Sequence, residues 1–152
     1  MLSRLLRNAE IISRIRNECK NNKKIILIAC NVNHSDFLNS ILNYLGINSS
    51  HIDAKTSKQE RYDIIDRYKN NEIQVICNFN ILTVGFDVPD ANVVLIARPT
   101  NSASLYSQMI GRGIRGPSMG GSKDCLLIDV KDNIQGWGGI GNLYTTFSNL
   151  WK

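Results

Sequence analysis

The sequence predicts an α/β protein in which a mainly parallel β-sheet lies between two layers of helices. Segments whose apolar residues recur every three or four positions alternate with short segments that are apolar throughout. Such alternation is typical of strand–helix–strand units, which join parallel strands. The uniformly apolar segments indicate strands that are buried on both faces. Polar residues, with frequent glycine or proline, follow these strands, and in parallel sheets functional groups gather where the strands end.

The first three elements are predicted to be a helix, a strand and a second helix. Residues 2–21 indicate an amphipathic helix, because arginines and other polar residues separate an apolar face made of Leu2, Leu5, Leu6, Ile12, Ile15 and Cys19. Residues 23–30, "KKIILIAC", form a continuous apolar run that predicts a buried strand. Residues 34–46 predict a helix, because Ser35 is a suitable N-cap and Gly46 a suitable end.

The middle of the chain predicts a strand, a helix and another strand. Residues 49–54 are a short strand candidate. Residues 56–71 open with Thr56 or Ser57 as a possible N-cap and carry Glu60 in the first turn, which indicates a helix start. The sequence "IQVICNF" at 73–79 predicts a second buried strand.

The last third of the chain predicts two more strands around a short helix. Residues 91–100 form an apolar strand that Pro99 ends. Residues 104–111 predict the short helix, and residues 124–130 the final strand. The remaining segment, 131–152, is glycine-rich and then apolar, and its pattern assigns it no partner.

The composition is that of a globular protein rather than a disordered one, with 43% hydrophobic and 7% aromatic residues. The net charge of +5 is compatible with a nucleic-acid or nucleotide partner without requiring one. The four cysteines are too far apart for a metal or redox motif, so we expect reduced, packed thiols and a cytoplasmic location. We expect no metal site, since neither His34 nor His51 has a partner at metal-ligand spacing. No apolar stretch is long enough to span a membrane.

The stretch "SQMIGRGIRG" at 107–116 carries the clearest chemical signal. It places Arg112 and Arg115 three apart among glycines. Two forked, permanently charged side chains beside backbone that a ligand can approach closely favour a phosphate chain as the ligand. A G-x-x-x-x-G-K-[ST] phosphate loop and an acidic D-E-x-x segment are both missing from the sequence. The chain is therefore predicted to provide half of a nucleotide site.

The segment 76–116, from "ICNFNILTVGFDVPD" to "SQMIGRGIRG", resembles motifs V and VI of superfamily 2 helicases. Residues 23–46 resemble motif IV with its following helix, and residues 51–77 resemble the motif IVa region. The resemblance extends over residues 23–130 and is to the second RecA-like domain of restriction-type and excision-repair-type DNA helicases. It implies a RecA-like three-layer sandwich.

The resemblance implies a nucleotide-binding role for Gly85, Asp87, Gln108, Arg112 and Arg115. In such helicases the two arginines reach the β- and γ-phosphates of ATP that a partner domain holds with Mg²⁺, and one of them acts as an arginine finger. They are therefore the expected catalytic residues.

The resemblance also implies that Asn31, Asn33 and Thr83 contact the sugar-phosphate backbone of the bound strand. Neutral amides and hydroxyls suit that task because they can grip any base sequence. DNA is favoured over RNA as the nucleic acid.

The implied organisation is one second RecA-like domain over residues 1–152, with a linking helix at about 1–22 and an extension at about 131–152. The first RecA-like domain is the expected partner, in cis or in trans, so the isolated chain is expected to have negligible ATPase activity. Two alternatives stay open, a stand-alone module that binds nucleic acid or protein without catalysis, and a small doubly wound nucleotide-binding domain.

Overall fold

The computed structural model describes residues 2–80, 91–98 and 125–130. These residues form three helices and five strands: α1 (Leu2–Lys20), β1 (Ile25–Ile28), α2 (Val32–Tyr44), β2 (Ser49–Ile52), α3 (Lys58–Lys69), β3 (Val75–Asn78), β4 (Val93–Ile96) and β5 (Leu126–Asp129). Each of these elements lies within a predicted segment of the same type, except that α2 begins two residues before its predicted segment, 34–46. The predicted helix at 104–111 lies outside the described residues.

The five strands form one parallel sheet in the order β2-β3-β1-β4-β5. β1 is central, with Ile25 opposite Val75 of β3 on one side and Val93 of β4 on the other. Helices α2 and α3 make the crossovers from β1 to β2 and from β2 to β3, since parallel strands of one sheet need a crossover connection. The predicted parallel α/β sheet is confirmed.

Both faces of the sheet are covered, which explains the uniformly apolar strands. On one face, Ile25 and Leu27 of β1 pack in a cluster with residues of α1 and α2. On the other face, Ile26 and Ile28 pack in a cluster with residues of α3, among them the fully buried Tyr68. Each fully buried aliphatic side chain contributes about 1.5–3 kcal/mol. The three-layer sandwich is therefore held by two separate cores.

Helix α2 begins earlier than the sequence pattern predicts. Its N-cap is Asn31, whose side-chain oxygen accepts the N–H of His34, and the predicted cap Ser35 lies inside the helix and is fully buried. The predicted end is confirmed: Gly46 has φ +80 and donates its N–H to Asn43, while Ile47 donates to Leu42. This is a Schellman ending, in which glycine adopts the left-handed conformation at little cost.

The first turns of α1 extend past the core. Ile11 and Ile15 are fully buried, whereas Leu5 and Leu6 are 60% and 63% exposed and so do not belong to the buried face that the sequence predicts. A helix of 19 residues is about 28 Å long, and a strand of four residues only about 13 Å. Because α1 leads into β1 and packs against the sheet, its N-terminal turns reach the carboxyl edge.

The cysteines are free. Cys77 is buried, as predicted, and burial raises the pKa of its thiol far above the ordinary value. Cys19, Cys30 and Cys125 are half-buried. Burial, with a smaller contribution from the Glu18 charge, raises the pKa of Cys19 to about 11. The thiols of Cys77 and Cys19 therefore stay protonated at neutral pH, and both residues act as packing residues.

Among the described residues no helix is long and apolar enough to cross a membrane.

Candidate nucleic-acid interface

The carboxyl edge of the sheet collects polar groups from four strand ends. Asn31 follows β1, Asp53 follows β2, Asn80 follows β3 and Arg98 follows β4. Because all the strands are parallel, their ends lie at one edge of the sheet. This is the edge where open α/β sheets bind their ligands.

Asn31 and Asn33, two of the predicted strand contacts, lie together at the N-terminus of α2. Asn31 has extended backbone (φ −160, ψ 175), and its Oδ1 accepts the His34 N–H at 2.8 Å. The cap uses the amide oxygen, so the Nδ2 donors of Asn31 remain available to a ligand. Asn33 is exposed in the first helical turn, where backbone N–H groups have no partner within the helix. The arrangement offers uncharged donors and the positive end of a helix dipole.

His34 connects this helix start to α1. The N–H of Cys30 donates to His34 Nδ1 at 3.3 Å, so the ring proton is on Nε2, which donates to Asn8 Oδ1 at 3.0 Å. Burial, and then the positive charge of Arg7, lower the pKa of His34 below its usual value. His34 is therefore a neutral structural link between the two helices at pH 7.

Arg7 reaches from α1 across the sheet edge. Its guanidinium donates to the carbonyl oxygen of Ala97, at the end of β4, and lies 3.5 Å from the sulfur of Cys30. The Cys30 thiol also donates to Ala97 O at 2.9 Å. Neither Arg7 nor Asn8 is among the site residues that the sequence predicts. One feature of the sequence indicates that Arg7 faces the sheet: it lies four residues before the buried Ile11 and so on the same helical face.

A series of polar contacts orders the turn after β2. The Oγ of Ser35 lies 2.8 Å from His51 Nδ1, and His51 Nε2 lies 3.7 Å from a carboxylate oxygen of Asp53. Although these three residue types also occur in hydrolases, Ser35 is fully buried and cannot reach a substrate. These contacts instead join the first turn of α2 to the loop that leads into α3.

Asp53 holds that loop through its carboxylate. Oδ1 accepts the N–H of Lys55 at 2.8 Å, and the N–H and hydroxyl of Thr56 at 3.0 and 3.2 Å. Burial opposes ionisation, but these donors and the nearby His51 outweigh it and hold the pKa of Asp53 below its usual value. Arg61 closes the same loop by donating to the carbonyls of Thr56 and Asp53.

Arg98 makes a third connection along the edge. Its guanidinium carbon lies 5.0 Å from the centroid of the Phe79 ring, and its Nη1 donates to Asn80 Oδ1. Asn80 has a left-handed backbone (φ +60), which asparagine tolerates better than most residues. The Arg98 side chain thus fixes the two residues that precede segment 81–90.

The other predicted site residues are Thr83, Gly85, Asp87, Gln108, Arg112 and Arg115, and all of them lie outside the described residues. Their roles stay predictions. Within residues 2–80, 91–98 and 125–130, no group of three or more His, Cys, Asp or Glu side chains is placed to hold a metal ion.

A parallel sheet between helices, with donor-rich loops along its carboxyl edge, defines the class of open α/β proteins that bind ligands at that edge. Residues 7–116 match the family described as the helicase conserved C-terminal domain. The chain belongs to this family, and its fold is the RecA-like fold of helicase C-terminal domains.

Two curated relatives are similar over most of this chain. A putative ATP-dependent helicase, IRC3 of Saccharomyces cerevisiae, is 39% identical over 111 residues, which are 72% of this chain and 16% of the yeast protein. A 51.5 kDa protein of a Lactococcus phage is 36% identical over 117 residues, 77% of this chain and 25% of the phage protein. The chain therefore spans only a small part of the length of these relatives.

Solved structures agree on the fold. The C-terminal domain of the DEAD-box protein Dbp5 superposes with a TM-score of 0.68 at 22% identity, covering 84% of this chain and 71% of that one. The yeast DEAD-box splicing factor Prp28 gives a TM-score of 0.72 at 15% identity, over 91% of this chain and 30% of that one. At these identities the likeness concerns the fold alone.

Proposed function

We propose that this chain is the second motor domain of an ATP-dependent helicase or translocase that acts on DNA. The observation that carries the proposal is the position of Asn31 and Asn33, which offer uncharged donors at the start of α2 on the carboxyl edge. The chain that carries this pair of asparagines belongs to the helicase C-terminal family. The name of the yeast relative, "Putative ATP-dependent helicase IRC3", supports the same activity.

In the proposed mechanism, ATP lies between this domain and a first RecA-like domain. Arg112 and Arg115 approach the β- and γ-phosphates from this side, and Gly85, Asp87 and Gln108 complete this wall of the pocket. Guanidinium groups stabilise the negative charge that develops on the transferred phosphoryl group. We assign no Mg²⁺ ligand to the described part of this chain, where no suitable cluster of side chains occurs.

Strand binding is the second half of the proposal. Asn31, Asn33 and Thr83 contact phosphate and sugar oxygens, so strand binding depends on the sugar-phosphate backbone and not on the bases. Closure of the ATP cleft brings the strand-binding residues of this domain towards those of the first domain, and opening after hydrolysis separates them. Because the two domains bind the strand alternately, the protein moves along it.

The ATPase test uses a protein that joins this chain to a first RecA-like domain. Arg115→Ala is expected to retain ATP binding but to lower turnover by about 10³–10⁵-fold, the range of arginine fingers in other phosphoryl-transfer enzymes. The isolated chain is expected to show negligible hydrolysis. Normal turnover by the variant would contradict the assignment of Arg115.

The strand-binding test uses the 152-residue chain and fluorescent single-stranded oligonucleotides of different base sequence. We expect affinity that falls as salt rises and varies little with base sequence. Asn33→Ala should weaken binding. Asn17→Ala, which changes an exposed asparagine near the C-terminal end of α1, should not. Strand binding by a joined protein that never hydrolyses ATP would favour the stand-alone binding module instead.

A further inference from the structure

A cavity of about 270 Å³ opens at the carboxyl edge, between the first turns of α1 and the start of α2. The described residues that line it are Arg4, Arg7, Asn8, Cys30, Asn31 and His34. A water molecule in the liquid occupies about 30 Å³, so this space accommodates a phosphate group with part of its sugar. The cavity is next to the proposed strand contact, because Asn31 belongs to both.

Among the residues of the described ranges that line the cavity, two are arginines and none is acidic. Arg4 and Arg7 are three residues apart on α1, which places them on the same side of the helix. His34 adds no negative charge, since it is held neutral between Cys30 and Asn8. Arg4 therefore faces no negatively charged side chain among the described residues that line the cavity.

The cavity wall also presents hydrogen-bond donors. Asn8 uses its amide oxygen to accept from His34, and Asn31 uses its amide oxygen to cap α2. Both amides therefore keep their Nδ2 donors for a ligand. The guanidinium of Arg4, which is exposed at the helix surface, adds a charged fork that suits phosphate oxygens.

We infer that this cavity is a subsite for one phosphate group of the nucleic-acid strand, with Arg4 and the Asn8 and Asn31 amides as its ligands. The inference rests on the proposed strand-binding function and adds helix α1 to the strand-binding surface. Arg7 has a different role: bonded to Ala97 O, it contributes its charge and holds α1 against the sheet edge. A strand phosphate is favoured over a free nucleotide because Asn31 makes the cavity continuous with the strand contact.

The first experiment compares Arg4→Gln with Arg16→Gln in the 152-residue chain. Both arginines are exposed on α1 and both changes remove one charge, but residue 16 lies about 18 Å further along the helix. Oligonucleotide affinity is measured by fluorescence anisotropy at several salt concentrations. Arg4→Gln is expected to weaken binding three- to tenfold and to reduce the slope of log K against log salt by about 0.7, the value for one single-strand phosphate contact.

Arg16→Gln is expected to leave that slope unchanged. Equal slopes for the two variants would overturn the subsite, and the strand-binding proposal would stand if Asn33→Ala still weakened binding. If the unaltered chain bound no oligonucleotide at any salt concentration, both the subsite and the proposed strand contact would be overturned.

The second experiment follows the His34 ring by NMR. Burial, and then the positive charge of Arg7, depress the pKa of His34, so a phosphate held beside both residues should raise this pKa. An oligonucleotide is expected to raise this pKa in the unaltered chain and to raise it much less in Arg4→Gln. A rise with inorganic phosphate or ATP but none with oligonucleotide would assign the cavity to a free phosphate ligand and overturn the strand assignment. His51, the other histidine, faces Ser35 and Asp53 and serves as the internal control.

Discussion

Asn31→Asp and Asn31→Ala separate the two tasks assigned to this residue, capping α2 and contacting a strand phosphate. Aspartate caps helices as well as asparagine does, so Asn31→Asp keeps the acceptor for the His34 N–H. Alanine lacks it, and losing an N-cap costs about 1 kcal/mol. In a chain of this size that lowers Tm by about 2–4 °C. Thermal unfolding should therefore find Asn31→Asp near the parent Tm and Asn31→Ala below it.

Strand binding should rank the same variants in a different order. A phosphate that accepts a hydrogen bond from Asn31 would lie roughly 4 Å from the charge of the introduced carboxylate. Two like charges at that distance repel by about 1 kcal/mol in bulk water and by about 4 kcal/mol at an effective dielectric constant of 20. Since 1.4 kcal/mol is a factor of ten, Asn31→Asp should lose between roughly fivefold and several hundredfold in affinity.

Fluorescence anisotropy with a single-stranded oligonucleotide at low salt measures this loss, because added salt screens the repulsion. Asn31→Ala removes the donor without adding charge, so its loss of affinity should be smaller. A folded Asn31→Asp variant that binds the oligonucleotide as tightly as the parent would refute the strand contact. The cap would remain a structural fact.

Three further predictions concern stability. Because the folded chain resists protonation of His34, this residue's contribution to the free energy of unfolding should be fully present above the unfolded-state pKa near 6.5 and should fall as pH drops below that value. Urea unfolding between pH 7.5 and 5 should show a weaker pH dependence for His34→Gln than for the parent chain. An equal pH dependence in the two proteins would contradict this prediction. Ser57→Ala removes an N-cap hydrogen bond and should cost about 1 kcal/mol, whereas Ser40→Ala, within a helix, should cost little; equal costs in chemical denaturation would argue against the capping box. Leu38→Ala should cost about 2–5 kcal/mol because Leu38 is fully buried, and the half-exposed Phe37→Ala clearly less; a reversed order would show that α2 packs differently.

The sequence predicted α3 and the end of α2 well because these features depend on neighbouring residues. The Oγ of Ser57 accepts the Glu60 N–H at 3.2 Å, and the Glu60 carboxylate accepts the Ser57 N–H at 3.0 Å. Gly46 ends α2 by its own backbone freedom. In both cases the partners are within a few positions of each other, so residue types in a short window indicate the geometry.

The start of α2 was misplaced because the window contains two good caps, Asn31 and Ser35. Local preference does not distinguish them. The structure selects Asn31 because Ser35 is buried against His51, a residue of the neighbouring strand β2. That choice depends on a contact between residues 16 positions apart, which no short pattern contains.

By itself the sequence determined the layered parallel α/β fold and the polar residues that follow β1. Burial on both faces of a sheet imposes continuous apolar strands, and polar residues follow where a strand ends. Only the tertiary structure decided that α1 reaches the carboxyl edge of the sheet. Arg7 meets Ala97 across 90 positions of the chain, and Asn8 meets His34 across 26. Such contacts depend on how a long helix lies over a short sheet. The periodicity of α1 indicates which face of the helix is apolar, but it does not indicate how far the helix extends beyond the sheet.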